Sequence, residues 1–218
     1  MSPSIYNRVI DVHAHIVFPE SMGKAGRFGP ELASDADGVA FFRFGGYSMK
    51  PMDYRNTVFM DHAMRLDAMA QHGIDLQLLS PNPLTLFHHI PSPEAIAFCH
   101  TQNDAMAALV TRYPEQFLGA AAVPMQDIDA AIREAERAIN ELGLCAIYIG
   151  THLAYDLDDP RLDAFYEAVT GLNVPLFFHP ASSGGVSGPD DARLARFDMT
   201  LILGYAYEET IAAAQLVL

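Results

Sequence analysis

The feature that most limits what this chain can fold into is an alternation. Short apolar runs, each long enough for a buried strand, are separated by stretches whose apolar residues recur at helical spacing. The strand candidates are Val9–His13, Leu76–Ser80, Phe117–Val123, Ala146–Gly150 and Pro175–His179. They are rich in Val, Ile, Leu, Phe and Ala, as strands covered on both faces are. Helices are expected at Met60–His72, Pro93–Tyr113, Asp127–Leu142 and Pro160–Leu172, and over most of Thr200–Leu218. Asp127 reads as an N-cap, Gly73, Gly143 and Gly171 as stops, and Pro160 as a first-turn proline. Five strand–helix units of this kind give an α/β fold with parallel strands, either an open doubly wound sheet or a barrel. The first connection, about residues 16–56, is long and holds Gly23, Gly26, Gly29, Gly38, Gly45 and Gly46 among several aromatics. Loops of that length inside a compact domain usually carry function.

Half of the 218 residues are hydrophobic and 18% are charged, which suits one domain with a sizeable core. No apolar stretch is long enough to span a bilayer. The start, MSPSIYNRVIDVH, lacks a basic region followed by an apolar run, so a cytoplasmic protein without a secretory leader is expected. Cys99 and Cys145 do not make a disulfide framework and read as reduced thiols. The net charge of −14 disfavours nucleic acid and anionic membranes as partners. A small anionic substrate would need a local arginine or a metal.

The chemistry concentrates in a few histidines. Residues two apart on a strand share a face, so His13 and His15 project together at the end of the first strand. Two imidazoles on one face suit a divalent metal, and the C-terminal ends of strands are where such folds place active sites. His179 closes the fifth strand and points into the same mouth if the sheet curls into a barrel. The two lysines, Lys24 and Lys50, both lie in the long first connection, so no strand offers a lysine to bridge two metals. One metal is therefore expected.

His13-Ala-His15, Arg43, Pro124-Met125-Gln126, Glu141-Leu142-Gly143, Ile149-Gly150-Thr151-His152 and Phe178-His179-Pro180 follow one another at suitable distances. As an ordered set over essentially the whole chain, they resemble the amidohydrolase superfamily. More narrowly they resemble its aminocarboxymuconate-semialdehyde decarboxylase-like branch, which includes resorcylate and carboxyvanillate decarboxylases and oxalomesaconate hydratases. The resemblance implies a (β/α)8 TIM barrel with one divalent metal, zinc first and manganese second. It makes His13, His15 and His179 metal ligands and gives Arg43 a substrate carboxylate to hold, a role that suits a guanidinium fork. It also implies a small carboxylated substrate, a homodimer in the full-length form and carbon–carbon cleavage as the reaction. Hydration or hydrolysis with a metal-bound water is the alternative within the superfamily.

The pattern's fourth ligand, an aspartate, and its acid–base histidine are expected beyond Leu218, because the sequence stops within the fifth βα unit. These 218 residues are accordingly expected not to close a barrel alone, and a non-catalytic remnant is the reading of another class. Were a fourth ligand to come from within, Asp11, Asp190 or Asp191 would be the candidates. Asp11 shares a face with His13 and is otherwise a candidate to orient a ligand. His88 and His89 follow the second strand, and His89 is the candidate to touch substrate. His152 after the fourth strand is ambiguous, while His62, His72 and His100 read as surface or packing residues of helices.

Overall fold

The computed structural model of the chain describes residues 8–180 and 199–218. The main sheet contains β1 (Ile10–Ile16), β5 (Leu76–Pro81), β6 (Phe117–Ala122), β7 (Ala146–Gly150) and β8 (Leu176–His179), all parallel and in that spatial order. The order never reverses. A doubly wound sheet reverses at a switch point and so covers both faces with helices. Here each right-handed crossover advances in the same direction and lands on the same face. The outcome is a curved arc of barrel wall, as the sequence leads one to expect.

Alternation along the strands separates the two faces of this arc. Leu79, Phe117, Ala121, Ile147 and Ile149 pack outward against the helices, in one cluster with Met69, Met106, Leu109, Ala131, Ala135, Phe165 and Val169. Leu78, Ala120, Ala146 and Tyr148 belong to a separate cluster with Phe177, on the inner face. The helices are α1 (His62–His72), α2 (Ser92–Arg112), α3 (Ile128–Asn140) and α4 (Asp163–Leu172), then α5 (Met199–Ile202) and α6 (Gly204–Val217). Asp61 and Asp127 cap α1 and α3 by accepting the N–H groups of Met64 and Ala130. Gly119 in β6 leaves room for α2: a Cβ there would lie 2.6 Å from Met106 Cγ.

Three details differ from the sequence reading. First, β1 runs on to Ile16, so His13 and His15 lie within the strand and not at its end. Second, Pro160–Leu162 forms a tight 3-10 turn ahead of α4, and α4 continues through Gly171. Its left-handed cap is Asn173 (φ 55°), a residue that tolerates this conformation better than most. Third, the long first connection contains a small antiparallel sheet of β2 (Glu31–Ser34), β3 (Ala40–Phe44) and β4 (Tyr47–Met49). Phe42, Phe44 and Tyr54 pack there with Phe87, Ile90 and Phe98, which fastens the excursion to the segment after β5 and to α2.

Candidate metal centre

His13 and His15 reach the inner face of the arc because they are two apart on β1. β8 carries His179 to the same level, with Gly150 of β7 as its register partner. The three rings meet edge to face. Their centroids are 4.7 Å (His13–His15), 4.9 Å (His15–His179) and 5.4 Å (His13–His179) apart. One ring nitrogen from each lies within 4.8 Å of the others, and the Nε2 atoms of His13 and His15 are 3.0 Å apart. Nitrogens bound tetrahedrally at about 2.0–2.1 Å from zinc sit about 3.3 Å from each other, so small ring adjustments, His179 inward and the His13–His15 pair slightly apart, give a metal-binding arrangement.

Neighbouring groups set how two of the rings present themselves. Ser80, the register partner of His15 on β5, places its Oγ 3.0 Å from His15 Nδ1. The carbonyl of Pro180 lies 2.7 Å from His179 Nδ1. A ring that donates through Nδ1 keeps Nε2 as a free acceptor, the tautomer a metal needs. Burial pushes the His15 imidazole down to about 3, helped by repulsion from His179, His13 and Arg65. His179 is also lowered, mainly by burial and against the pull of the Pro180 carbonyl. Both are therefore neutral donors. A cavity of about 120 Å³ adjoins the rings, lined by Val12, Leu78, Ala120, Phe177 and the buried Tyr148 among others. It is mostly apolar.

The other sequence candidates are spread around this centre. Asp11 accepts the backbone N–H of His13 at 3.0 Å, so it acts on the strand and not on the ring. Arg43 is the register partner of Glu31; its Nε donates to Glu31 Oε2 at 2.7 Å and Nη1 to the Arg27 carbonyl at 2.9 Å. His89 is exposed and leans over the β3–β4 turn, its Nε2 3.0 Å from where a Gly45 Cβ would be. His88 is buried, and its Nε2 accepts the Gly150 N–H at 2.9 Å. His152 faces Glu208 at 3.5 Å. Asp190 and Asp191 lie outside the described residues. Sequence reasoning missed Ser80, Tyr148, Arg65 and Gln77. Ser80 had a signal: it closes the apolar run of the next strand, level with the His-x-His of the first.

Comparison with known proteins agrees with this architecture. The amidohydrolase family profile matches residues 10–218. The 2-amino-3-carboxymuconate-6-semialdehyde decarboxylase of Dictyostelium discoideum is 27% identical over 213 residues, which is 95% of this chain and 57% of that protein. The gamma-resorcylate decarboxylase of Rhizobium radiobacter is 33% identical over 174 residues, 76% of this chain and 50% of that one. Among solved structures, a dihydroxybenzoic acid decarboxylase from Polaromonas sp. JS666, with bound manganese and the inhibitor 2-nitroresorcinol, is 25% identical. It matches with a TM-score of 0.68 over 96% of this chain and 60% of its own. The chain thus spans little more than half the length of the curated relatives it matches. The five βα units are a partial TIM barrel, and the profile match runs over nearly the whole chain. The chain belongs to the amidohydrolase family.

Proposed function

We propose that the protein is a metal-dependent decarboxylase of a small carboxylated aromatic or muconate-type compound, with His13, His15 and His179 as ligands of one divalent metal. The observation that carries this reading is the convergence of the three imidazoles at one point beside an apolar cavity. Zinc is the first choice, since three neutral nitrogens suit it; manganese is the second, since the Polaromonas relative was solved with it. When bound, the metal supplies a Lewis acid and an activated water. The chain's own residues position and surround it. The Pro180 carbonyl, which can only accept, holds the His179 ring in the metal-binding tautomer, and Ser80 orients the His15 ring. Leu78, Ala120 and Phe177 give the neighbouring cavity an apolar lining. Arg43 is the proposed contact for the substrate carboxylate, for which it would exchange Glu31, and His89 is a further proposed substrate contact. The substrate class follows the relatives, which are named decarboxylases of gamma-resorcylate, dihydroxybenzoic acid and aminocarboxymuconate semialdehyde.

The test is product analysis with the intact, metal-loaded protein on 2,6-dihydroxybenzoate and related carboxylated phenols. Release of carbon dioxide with formation of the decarboxylated phenol is expected, with its loss on chelation. Addition of water without carbon dioxide would make the protein a hydratase. No turnover of the whole panel would remove the decarboxylase reading.

A further inference from the structure

The strand that carries His13 and His15 is irregular between them and its start. Its ladder with β5 shifts register between Asp11 and Ala14. A bulge of this kind frees backbone groups and re-aims side chains. The freed N–H of His13 is accepted by Asp11 Oδ1 at 3.0 Å. Asp11 Oδ2 accepts Gln77 Nε2 at 2.9 Å, and Gln77 Oε1 accepts Arg65 Nη1 at 3.0 Å. Arg65 Nη2 in turn donates to the carbonyl of His15. The series begins at the backbone of one imidazole-bearing residue and ends at the backbone of the other, passing through β1, β5 and α1. Arg65 is 4% exposed and Gln77 8%. Burying a guanidinium in a helix–sheet seam is costly when an apolar side chain would pack there.

We propose that Arg65, Gln77 and Asp11 are positioning residues: together they fix the β1 bulge so that His13 and His15 present their rings to a common point. This rests on the metal reading. The chain of bonds has one permitted direction. Arginine only donates and a carboxylate only accepts, so Gln77 must turn its oxygen to Arg65 and its amide NH2 to Asp11. Asp11→Asn therefore sets two donors against each other, at Gln77 or at the His13 N–H. Gln77→Glu sets two carboxylates face to face. The double variant, Asp11→Asn with Gln77→Glu, restores every link. The amide introduced at position 11 accepts from the His13 N–H and donates to the carboxylate introduced at position 77, whose second oxygen accepts from Arg65. Net charge is the same as in the wild type.

The experiment loads the intact protein and these three variants with cobalt(II) and records the visible ligand-field spectrum and the affinity by competition. Each single variant should change the spectrum and weaken binding by about 10–100-fold, and the double should return both close to wild type. If a single variant fails to fold, the double decides in the same way. Single variants indistinguishable from wild type, or a double no better than the worse single, would overturn the proposal. Wild-type protein that takes up no cobalt would instead overturn the metal reading. In that case metal-free thermal unfolding decides: Tm lost in each single and regained in the double supports the linkage, and additive losses refute it.

Discussion

At the scale of single residues, the centre depends on groups that are not ligands themselves. Ser80 meets His15 because strand register puts them side by side. Ser80→Ala should weaken divalent-metal affinity by about 10–100-fold while leaving thermal stability nearly unchanged, as judged by competitive metal titration beside a melting curve. Arg43→Ala should raise KM for a carboxylated substrate with little change in kcat, the loss of a charge-assisted contact worth about 1.5–3 kcal/mol. Unchanged KM would take Arg43 out of the site. His88 gives a pH prediction. Burial holds its imidazole down to about 3, and Nε2 accepts the Gly150 N–H. Unfolded, it titrates near about 6.5. The folded value is the lower one, so unfolded chains take the proton first. Its stabilising contribution is present above about pH 6.5 and is lost as pH falls toward about 3, and His15 acts in the same sense. The Tm of the metal-free protein should therefore drop on acidification. His88→Leu should have a shallower pH slope but a lower Tm near neutrality, because the Gly150 N–H loses its acceptor at a cost of about 1–3 kcal/mol. Equal slopes would show that His88 does not titrate in this way. The histidines themselves were legible, since two-residue spacing decides which face a strand side chain takes. Arg65 and Gln77 were not, because nothing in a local sequence window says that a helix arginine will be buried.

At the scale of elements, the decisive contacts run between a strand and the helix behind it. α2 approaches β6 closely only because Gly119 has no side chain. Gly119→Ala would drive a methyl group into Met106 and Leu144 and should lower stability by about 1–3 kcal/mol, read by denaturant unfolding, with metal affinity preserved. An unaltered midpoint would mean that the seam adapts freely. On the same helix, buried Asn103 both donates to the Ala122 carbonyl and accepts its N–H, holding the end of β6 beyond its pairing with β5. The five strands and four helices between them could be read from periodicity because each buries a long apolar face. The sheet of β2, β3 and β4 escaped because its strands are short, its pairing is local and its glycines suggested an open loop. Ala40–Phe44 followed by Gly45-Gly46 was the available sign: a strand with aromatics, then a turn that needs a positive φ, which Gly45 supplies at 55°. Gly171 misled for the opposite reason, since Asn173 takes the left-handed cap two residues later.

At the scale of the whole molecule, one fact organises the rest: the strands of the main sheet follow one another in space as they do in sequence. That order curls the sheet, gathers the C-terminal ends of β1 and β8 on one rim and brings His13, His15 and His179 together from the two outermost strands of the arc. Among the described residues no helix is long and apolar enough to cross a membrane. The net charge of −14 makes an arginine or a metal the natural receiver for an anionic substrate. The measurement that tests the central claim most directly is X-ray absorption at the zinc edge of the intact, zinc-loaded protein. Three imidazole nitrogens at about 2.0–2.1 Å are predicted, falling to two in His179→Ala. A shell without imidazole, or one unchanged by His179→Ala, would contradict it.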